Sequence, residues 1–233
     1  MTGALAEAWK TKKQKKQKFF AASYIGSAFD HLIADKPCDF VRFDIQEAAK
    51  IFGYGDERSI TAAECDVLLQ HVPNDGRLFV SDIPYSIECD NNALSLIGQF
   101  MGRYHIGAVN LRLNNNILPL AKKLVLSGVP VIITADNNSL ICNEERIVEN
   151  AVEAGNTCAV LMITEGLSDE GYEKIKSMCR IPVLADRNIK NADGYYARYS
   201  EIIGLTESKN QYLNIKQLIG SAFDDAAESV NVK

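Results

Sequence analysis

The chain of 233 residues lacks several patterns that mark common protein classes. No apolar run approaches the roughly 18 residues that would span a bilayer. No GxGxxG or GxxxxGK(S/T) loop occurs, which weakens the case for an open nucleotide-binding sheet. The net charge of −5 gives no general attraction to nucleic acid or to an anionic membrane. These absences predict a protein that binds neither a membrane nor nucleic acid.

Cysteine and histidine are present in small numbers and without motif spacing. The six cysteines stand singly, with no CxxC pair, so we expect free thiols in a reducing, cytoplasmic compartment. The three histidines lack metal-ligand spacing and are interpreted as structural or surface residues. The lysine-rich segment 10–18 follows a weakly apolar stretch, the reverse of a secretory signal. It is interpreted as the solvated end of a short N-terminal helix, with a tether to nucleic acid or membrane as the alternative.

Short apolar runs alternate along the chain with segments of helical periodicity. Seven runs predict strands: 19–23, 39–43, 78–81, 108–113, 129–134, 158–164 and 181–185. Helices are predicted between them, with a capping box at Thr61 and Glu64, an N-cap at Asn143, and helix ends before Gly128 and Gly155. Such alternation predicts parallel strands with right-handed crossovers, without separating a closed barrel from an open sheet. The length and the 47% hydrophobic content suit one domain over residues 1–233.

Polar residues stand where several predicted strands end. Asp44 follows the second strand, Asp82 the third and Glu165 the sixth. In parallel α/β folds the carboxyl ends of the strands meet at one edge, where chemistry collects. Carboxylates meeting there suit Mg²⁺, a hard cation that takes oxygen ligands. The alternative is that these aspartates cap the turns that follow their strands, as Asp82 would before Ile83-Pro84.

Four collinear segments resemble the ketopantoate hydroxymethyltransferase family. Residues 78–85 (LFVSDIPY) are similar to its strand ending Asp-Met-Pro-Phe, and residues 53–61 (GYGDERSIT) to its segment GYDSTLPVT. Residues 181–183 (IPV), and then 193–194 (DG) with 202–205 (IIGL), follow its Ile-Pro-Val and Asp-Gly blocks. Matching pieces extend from about residue 5 to about residue 225.

The resemblance implies a single-domain (β/α)₈ TIM barrel related to phosphoenolpyruvate mutase and isocitrate lyase. It implies a Mg²⁺ ion that holds a small 2-oxo acid and promotes its enolisation, with 5,10-methylenetetrahydrofolate as the hydroxymethyl donor. Asp44 and Asp82 match the metal-associated aspartates. The catalytic glutamate matches Glu165 counted back from Ile181, or Met162 counted forward from Gly155. A homo-oligomer is also expected from the resemblance.

The chain departs from the family on its fourth and fifth strands. Asn110 and Arg112 stand where the family has a lysine and a metal-associated glutamate, and Thr134 stands where it has a substrate-contacting histidine. Asn110 and Arg112 share one strand face, so we expect both to bind the substrate, with Thr134, at the barrel mouth. Arg112 suits a carboxylate, and it must meet an anion there: Asp44, Asp82, Glu165 or a bound acid.

Three functions follow from these observations. The first is a Mg²⁺-dependent transferase of the hydroxymethyltransferase, pantothenate-biosynthesis type, in which Glu165 moves the proton. The second is a lyase or mutase of the phosphoenolpyruvate mutase and isocitrate lyase group. The third is a non-catalytic barrel subunit, which the altered fourth strand and the shortened loop at about 135–142 suggest.

Overall fold

The computed structural model describes residues 11, 19–24, 40–45, 48–49, 53–54, 59–70, 72, 78–137, 143–186, 190–191, 194–195 and 199–201. The lysine-rich segment and the short N-terminal helix lie outside these residues apart from Thr11, and so does the helix predicted at 29–33.

The described elements alternate as the sequence predicts. The strands are β1 (Phe19–Tyr24), β2 (Phe40–Phe43), β3 (Phe79–Asp82), β4 (Ile106–Arg112), β5 (Val131–Asp136), β6 (Leu161–Glu165), β7 (Val183–Asp186), β8 (Lys190–Asn191), β9 (Gly194–Tyr195) and β10 (Tyr199–Glu201). The helices are α1 (Ala62–Leu69), α2 (Tyr85–Glu88), α3 (Ala93–Tyr104), α4 (Ile117–Leu126), α5 (Glu144–Thr157) and α6 (Asp169–Met178). All seven predicted strands are therefore present, with boundaries that shift by up to three residues.

Eight strands form a closed ring in the order β1-β10-β7-β6-β5-β4-β3-β2. Strands β1 to β7 pair with one another in parallel, whereas β10 is antiparallel to both of its neighbours, β1 and β7. A TIM-barrel-like α/β fold is thus confirmed, but the full eightfold β/α repeat is not. The reason is the connection after β7: it carries the antiparallel pair β8 and β9, whereas a parallel eighth strand needs a crossover, usually a helix.

Side-chain caps define where three of the helices begin. Thr61 and Glu64 form the predicted capping box of α1, with the Thr61 amide donating to Glu64 Oε2 at 2.7 Å. The Asn143 side chain accepts from the Arg146 amide at 2.9 Å at the start of α5, as predicted. Ser168 caps α6 in the same way, by accepting from Gly171. Local sequence therefore sets where these helices begin.

Two glycines near helix ends have different roles. Gly128 follows α4 with φ +81, which confirms the predicted helix end because glycine adopts that backbone region without strain. Gly155 was predicted to follow α5, but it lies inside the helix, which continues to Thr157. A Cβ at Gly155 would stand 2.8 Å from Cys179 Sγ, so its small size serves the packing of α5 against the segment after α6.

Strand alternation divides the buried apolar residues into two sets. The larger set, which includes Val109, Ile133 and Met162, packs with residues of the surrounding helices. The smaller set lines the ring's interior: Phe40, Val80, Ala108, Ile132, Leu161, Ile163 and Leu184. Because side chains alternate along a strand, the residues two positions further on reach the interior next to this apolar layer.

Four of the six cysteines lie among the described residues. Cys65, Cys89, Cys158 and Cys179 are free thiols. No helix within the described ranges is both long and apolar enough to cross a bilayer.

Candidate active site

A layer of polar side chains lies next to the apolar interior layer, toward the carboxyl ends of the strands. Its members come from β2, β3, β4, β5 and β6, each two residues beyond a member of the apolar layer: Arg42, Asp82, Asn110, Thr134 and Glu165. All five are buried, and Glu165, at 9%, is the most exposed of them. Their hydrogen bonds connect them across the ring, so we define this set as the polar layer.

Arg42 is the centre of the polar layer. Its Nε donates to Asp82 Oδ1 at 2.5 Å and its Nη2 to Asp82 Oδ2 at 2.7 Å, a fork in which both carboxylate oxygens accept. Its Nη1 donates to Glu165 Oε1. Arg42 is fully buried, at 0% exposure. Its guanidinium binds two carboxylates that come from different strands.

Asn110 and Thr134 extend the network from Asp82 to β5. Asn110 Nδ2 donates to Asp82 Oδ1 at 2.8 Å, and Thr134 Oγ1 donates to Asn110 Oδ1 at 2.8 Å. The threonine hydroxyl thus fixes the orientation of the amide, so that its NH₂ group points at the carboxylate. Asp82, which was predicted as a metal ligand, accepts three hydrogen bonds within the polar layer.

The network spans the full width of the ring. In the strand order, β2 and β6 are four positions apart in a ring of eight, so they face each other. Arg42 on β2 nevertheless contacts Glu165 on β6. The Arg42 side chain therefore crosses the interior of the ring at this level.

Arg112 and Asp136 form a second ion pair at the end of the barrel. Arg112 Nη1 donates to Asp136 Oδ2 at 2.7 Å. The Arg112 side chain is 24% exposed, whereas that of Asp136 is 3% exposed. Arg112 meets an anion, as its interior position requires, and Asp136 was not among the anions predicted.

Sequence reasoning missed both Asp136 and Arg42. Asp136 follows Ile132 and Thr134 on one face of β5, and strand alternation extended to position 136 would have found it. For Arg42 the available signal was a charge in the middle of an apolar strand, between Val41 and Phe43.

The buried carboxylates interact electrostatically. Burial raises the pKa of Asp82 above its ordinary value, and the negative charge of Asp44 raises it further. The guanidinium of Arg42 and, more weakly, that of Arg112 act in the opposite direction on the same pKa. Asp44 directly follows β2 and is buried, and its charge acts on Asp82, so the two predicted aspartates lie near each other.

The two positions left open for the catalytic glutamate lie on opposite faces of β6. Met162 packs in the outer core between strands and helices. Glu165 lies in the interior and contacts Arg42. Of the two, only Glu165 is placed to meet a ligand inside the barrel mouth.

The donor set does not fit a Mg²⁺ ion in this arrangement. Among the described residues, no group of three or more histidine, cysteine, aspartate or glutamate side chains is arranged to hold a metal ion. Both Asp82 oxygens accept from the Arg42 guanidinium, and Mg²⁺ needs carboxylate oxygens that are open to it. The metal roles of Asp44 and Asp82 stay predictions.

Comparisons with known proteins place the fold. No protein-family model matches the sequence, and no curated protein matches it. Among solved structures, 2,3-dimethylmalate lyase, a member of the PEP mutase/isocitrate lyase superfamily, matches in two crystal forms. The trigonal form has a TM-score of 0.60 at 12% identity, covering 98% of this chain and 83% of that chain. The triclinic form has a TM-score of 0.57 at 14% identity, covering 98% and 86%.

A candidate phosphonomutase from Burkholderia cenocepacia J2315 has a TM-score of 0.57 at 13% identity, covering 72% of this chain and 78% of that chain. The chain shares their fold. At these identities the likeness concerns the fold, so the chemistry must be argued from the residues of the barrel.

Proposed function

We propose that the chain is a lyase or mutase that acts on a small, acidic substrate at the carboxyl ends of the barrel strands. The observation that carries the proposal is the gathering there of two arginines with the carboxylates of Asp82, Asp136 and Glu165. Stability alone does not call for so many buried charges, since well-packed apolar residues serve it equally well. The fold neighbours, a lyase and a candidate phosphonomutase, support this chemistry over hydroxymethyl transfer.

Arg112 is proposed to bind a carboxylate of the substrate. Its side chain is partly exposed, and its planar, permanently charged guanidinium suits a carboxylate. Asp136 holds one end of this guanidinium and so fixes its direction. Asn110 and Thr134 were predicted to bind the substrate, but their polar atoms are used within the polar layer, so we propose that they position Asp82.

Glu165 is proposed to move the proton. In the cleavage of a 2-hydroxy dicarboxylate, a base takes the hydroxyl proton and the C2–O bond becomes a carbonyl as the C2–C3 bond breaks. The electron pair of that bond moves to C3, beside its carboxylate, and a proton then returns to C3. The products are a 2-oxo acid and a carboxylic acid, and Arg112 would hold the charge that develops beside the departing carbon.

The experiment is a turnover assay on 2,3-dimethylmalate and a series of 2-hydroxy dicarboxylates, with the released 2-oxo acid measured by its reduction with lactate dehydrogenase and NADH. We expect turnover, and a loss of about 10²- to 10⁴-fold in kcat for Glu165→Gln, as is usual on removal of a general base. Glu149→Gln is the matched control, because Glu149 lies on the exposed side of α5. If no substrate yields a 2-oxo acid, or both variants are equally active, the proposed lyase activity of this site is wrong.

Several sequence predictions receive no support from the fold neighbours. These are the hydroxymethyltransferase activity and the use of 5,10-methylenetetrahydrofolate, which depend on the family resemblance. The homo-oligomeric state and the cytoplasmic location also stay predictions.

A further inference from the structure

We propose that the Arg42 guanidinium takes the place of a divalent cation in the polar layer, so that the protein does not bind Mg²⁺ at Asp82. The inference concerns the same site as the proposed function but does not depend on turnover. It goes against the Mg²⁺ predicted from the family resemblance, and it starts from the fit of Arg42 to its two carboxylates.

The first support is geometric. A metal ion in this layer would need oxygens from carboxylates of different strands, and Arg42 already collects such oxygens. It donates to both oxygens of Asp82 on β3 and to Glu165 on β6, while Asn110 donates to Asp82 as well. A cation at Asp82 would have to displace the fork of a fully buried arginine.

The second support is the positive charge that already lies beside Asp82. Among the residues whose burial the structure describes, four carboxylates are buried at the carboxyl ends of the strands, on Asp44, Asp82, Asp136 and Glu165. The Arg42 guanidinium contacts Asp82 and Glu165, and the Arg112 guanidinium contacts Asp136. Burial raises the pKa of Asp82, and both guanidinium groups act against that rise. A divalent ion beside Asp82 would lie within a few ångströms of the Arg42 charge and be repelled by it in a low-dielectric interior.

The third support is that this charge is permanent. Arginine is not deprotonated in proteins, so the site is not vacated by a change of pH as a lysine site would be. The side chain also has no exposed surface into which it could move without leaving Asp82 and Glu165 uncompensated. The positive charge that a metal would supply is therefore built into β2.

The test measures Mg²⁺ binding without substrate, by calorimetry and by the shift of Tm with MgCl₂, on protein first treated with EDTA. We expect neither heat nor a Tm shift for the wild type. Arg42→Gln removes the charge and keeps an amide donor, and it should bind Mg²⁺ at least about tenfold more tightly, with a Tm that rises with MgCl₂. Adding Asp82→Asn to Arg42→Gln should abolish that binding.

Two control variants test whether the effect depends on the positive charge and whether it is specific to this site. Arg42→Lys keeps a positive charge and should remain insensitive to Mg²⁺. Arg103→Gln removes an exposed arginine, which pairs with Asp66 at 2.7 Å, and should behave as the wild type.

The inference is overturned if the wild type binds Mg²⁺ and loses that binding with Asp82→Asn. This comparison does not need the Arg42→Gln variant, so it holds even if that variant does not fold. It is also overturned if folded Arg42→Gln fails to bind Mg²⁺, or if Arg42→Lys binds it as well as Arg42→Gln. The 2-oxo acid assay, run with and without EDTA, distinguishes a failure of this inference from a failure of the proposed function. An inactive protein that ignores Mg²⁺ would refute the proposed function and leave the role of Arg42 intact.

Discussion

Replacement of Arg42 by methionine is the strongest test of what holds the polar layer together. The substitution preserves an unbranched side chain of moderate volume and removes a guanidinium that is 0% exposed. It leaves Asp82 and Glu165 buried without the charge that both now contact. Breaking a buried pair by removing one partner typically costs about 3–5 kcal/mol, a large part of the roughly 5–15 kcal/mol that stabilises a domain.

The loss should depend on pH in a definite direction. Burial already raises the pKa of Asp82, and the lowering effect of Arg42 disappears in the variant. A carboxyl whose pKa is higher in the folded than in the unfolded chain destabilises the fold at pH values above both, and this destabilisation is relieved as the pH falls through the folded pKa. The difference in unfolding free energy between wild type and Arg42→Met should therefore be largest near neutral pH and should decrease on acidification.

The assay is urea unfolding followed by circular dichroism, at a series of pH values from neutral to mildly acidic. Arg42→Met/Asp82→Asn should recover part of the loss, because the carboxylate left behind is then neutral. Arg103→Met is the matched control: its pair with Asp66 is largely exposed, so it should cost at most about 1 kcal/mol. A loss for Arg42→Met no larger than that of the control, or one that does not change with pH, would refute the reasoning.

Three further predictions concern single contacts. Thr134→Val should cost about 1–3 kcal/mol in urea unfolding because it leaves Asn110 Oδ1 buried without its donor, and a loss below about 0.5 kcal/mol would contradict that bond. Gly155→Ala should lower Tm because its Cβ would stand 2.8 Å from Cys179 Sγ, and Cys179→Ala in the same chain should restore it unless the crowding is absent. Burial raises the pKa of the Cys65 thiol from its ordinary value of 9.0 to about 12. Above pH 9.0 the thiol ionises in the unfolded chain but not in the folded one, so the free energy of unfolding should fall by about 1.4 kcal/mol per pH unit. Cys65→Ala should lose stability less steeply over that range, and equal slopes would count against it.

The family resemblance identified several of the residues that form the polar layer. It placed Asp82, Asn110 and Thr134 on successive strands, and the structure joins all three in one hydrogen-bonded network. It did not give their partners, since a resemblance between sequences transfers positions and not contacts. The contact of Arg112 shows this: it donates to Asp136 on the neighbouring strand, a residue that was not among the predicted anions.

The sequence by itself determined the elements of this protein. Strand alternation, the capping box of Thr61 and Glu64 and the cap at Asn143 are local signals, and local signals are enough to place strands and helices along the chain. What only the tertiary structure decided is the direction of the closing strand β10 and the place of Arg42. Arg42 and Glu165 are 123 positions apart in the chain, and they meet because closing the ring sets β2 opposite β6. No pattern within one segment records that distance, since ring closure is a property of all eight strands together.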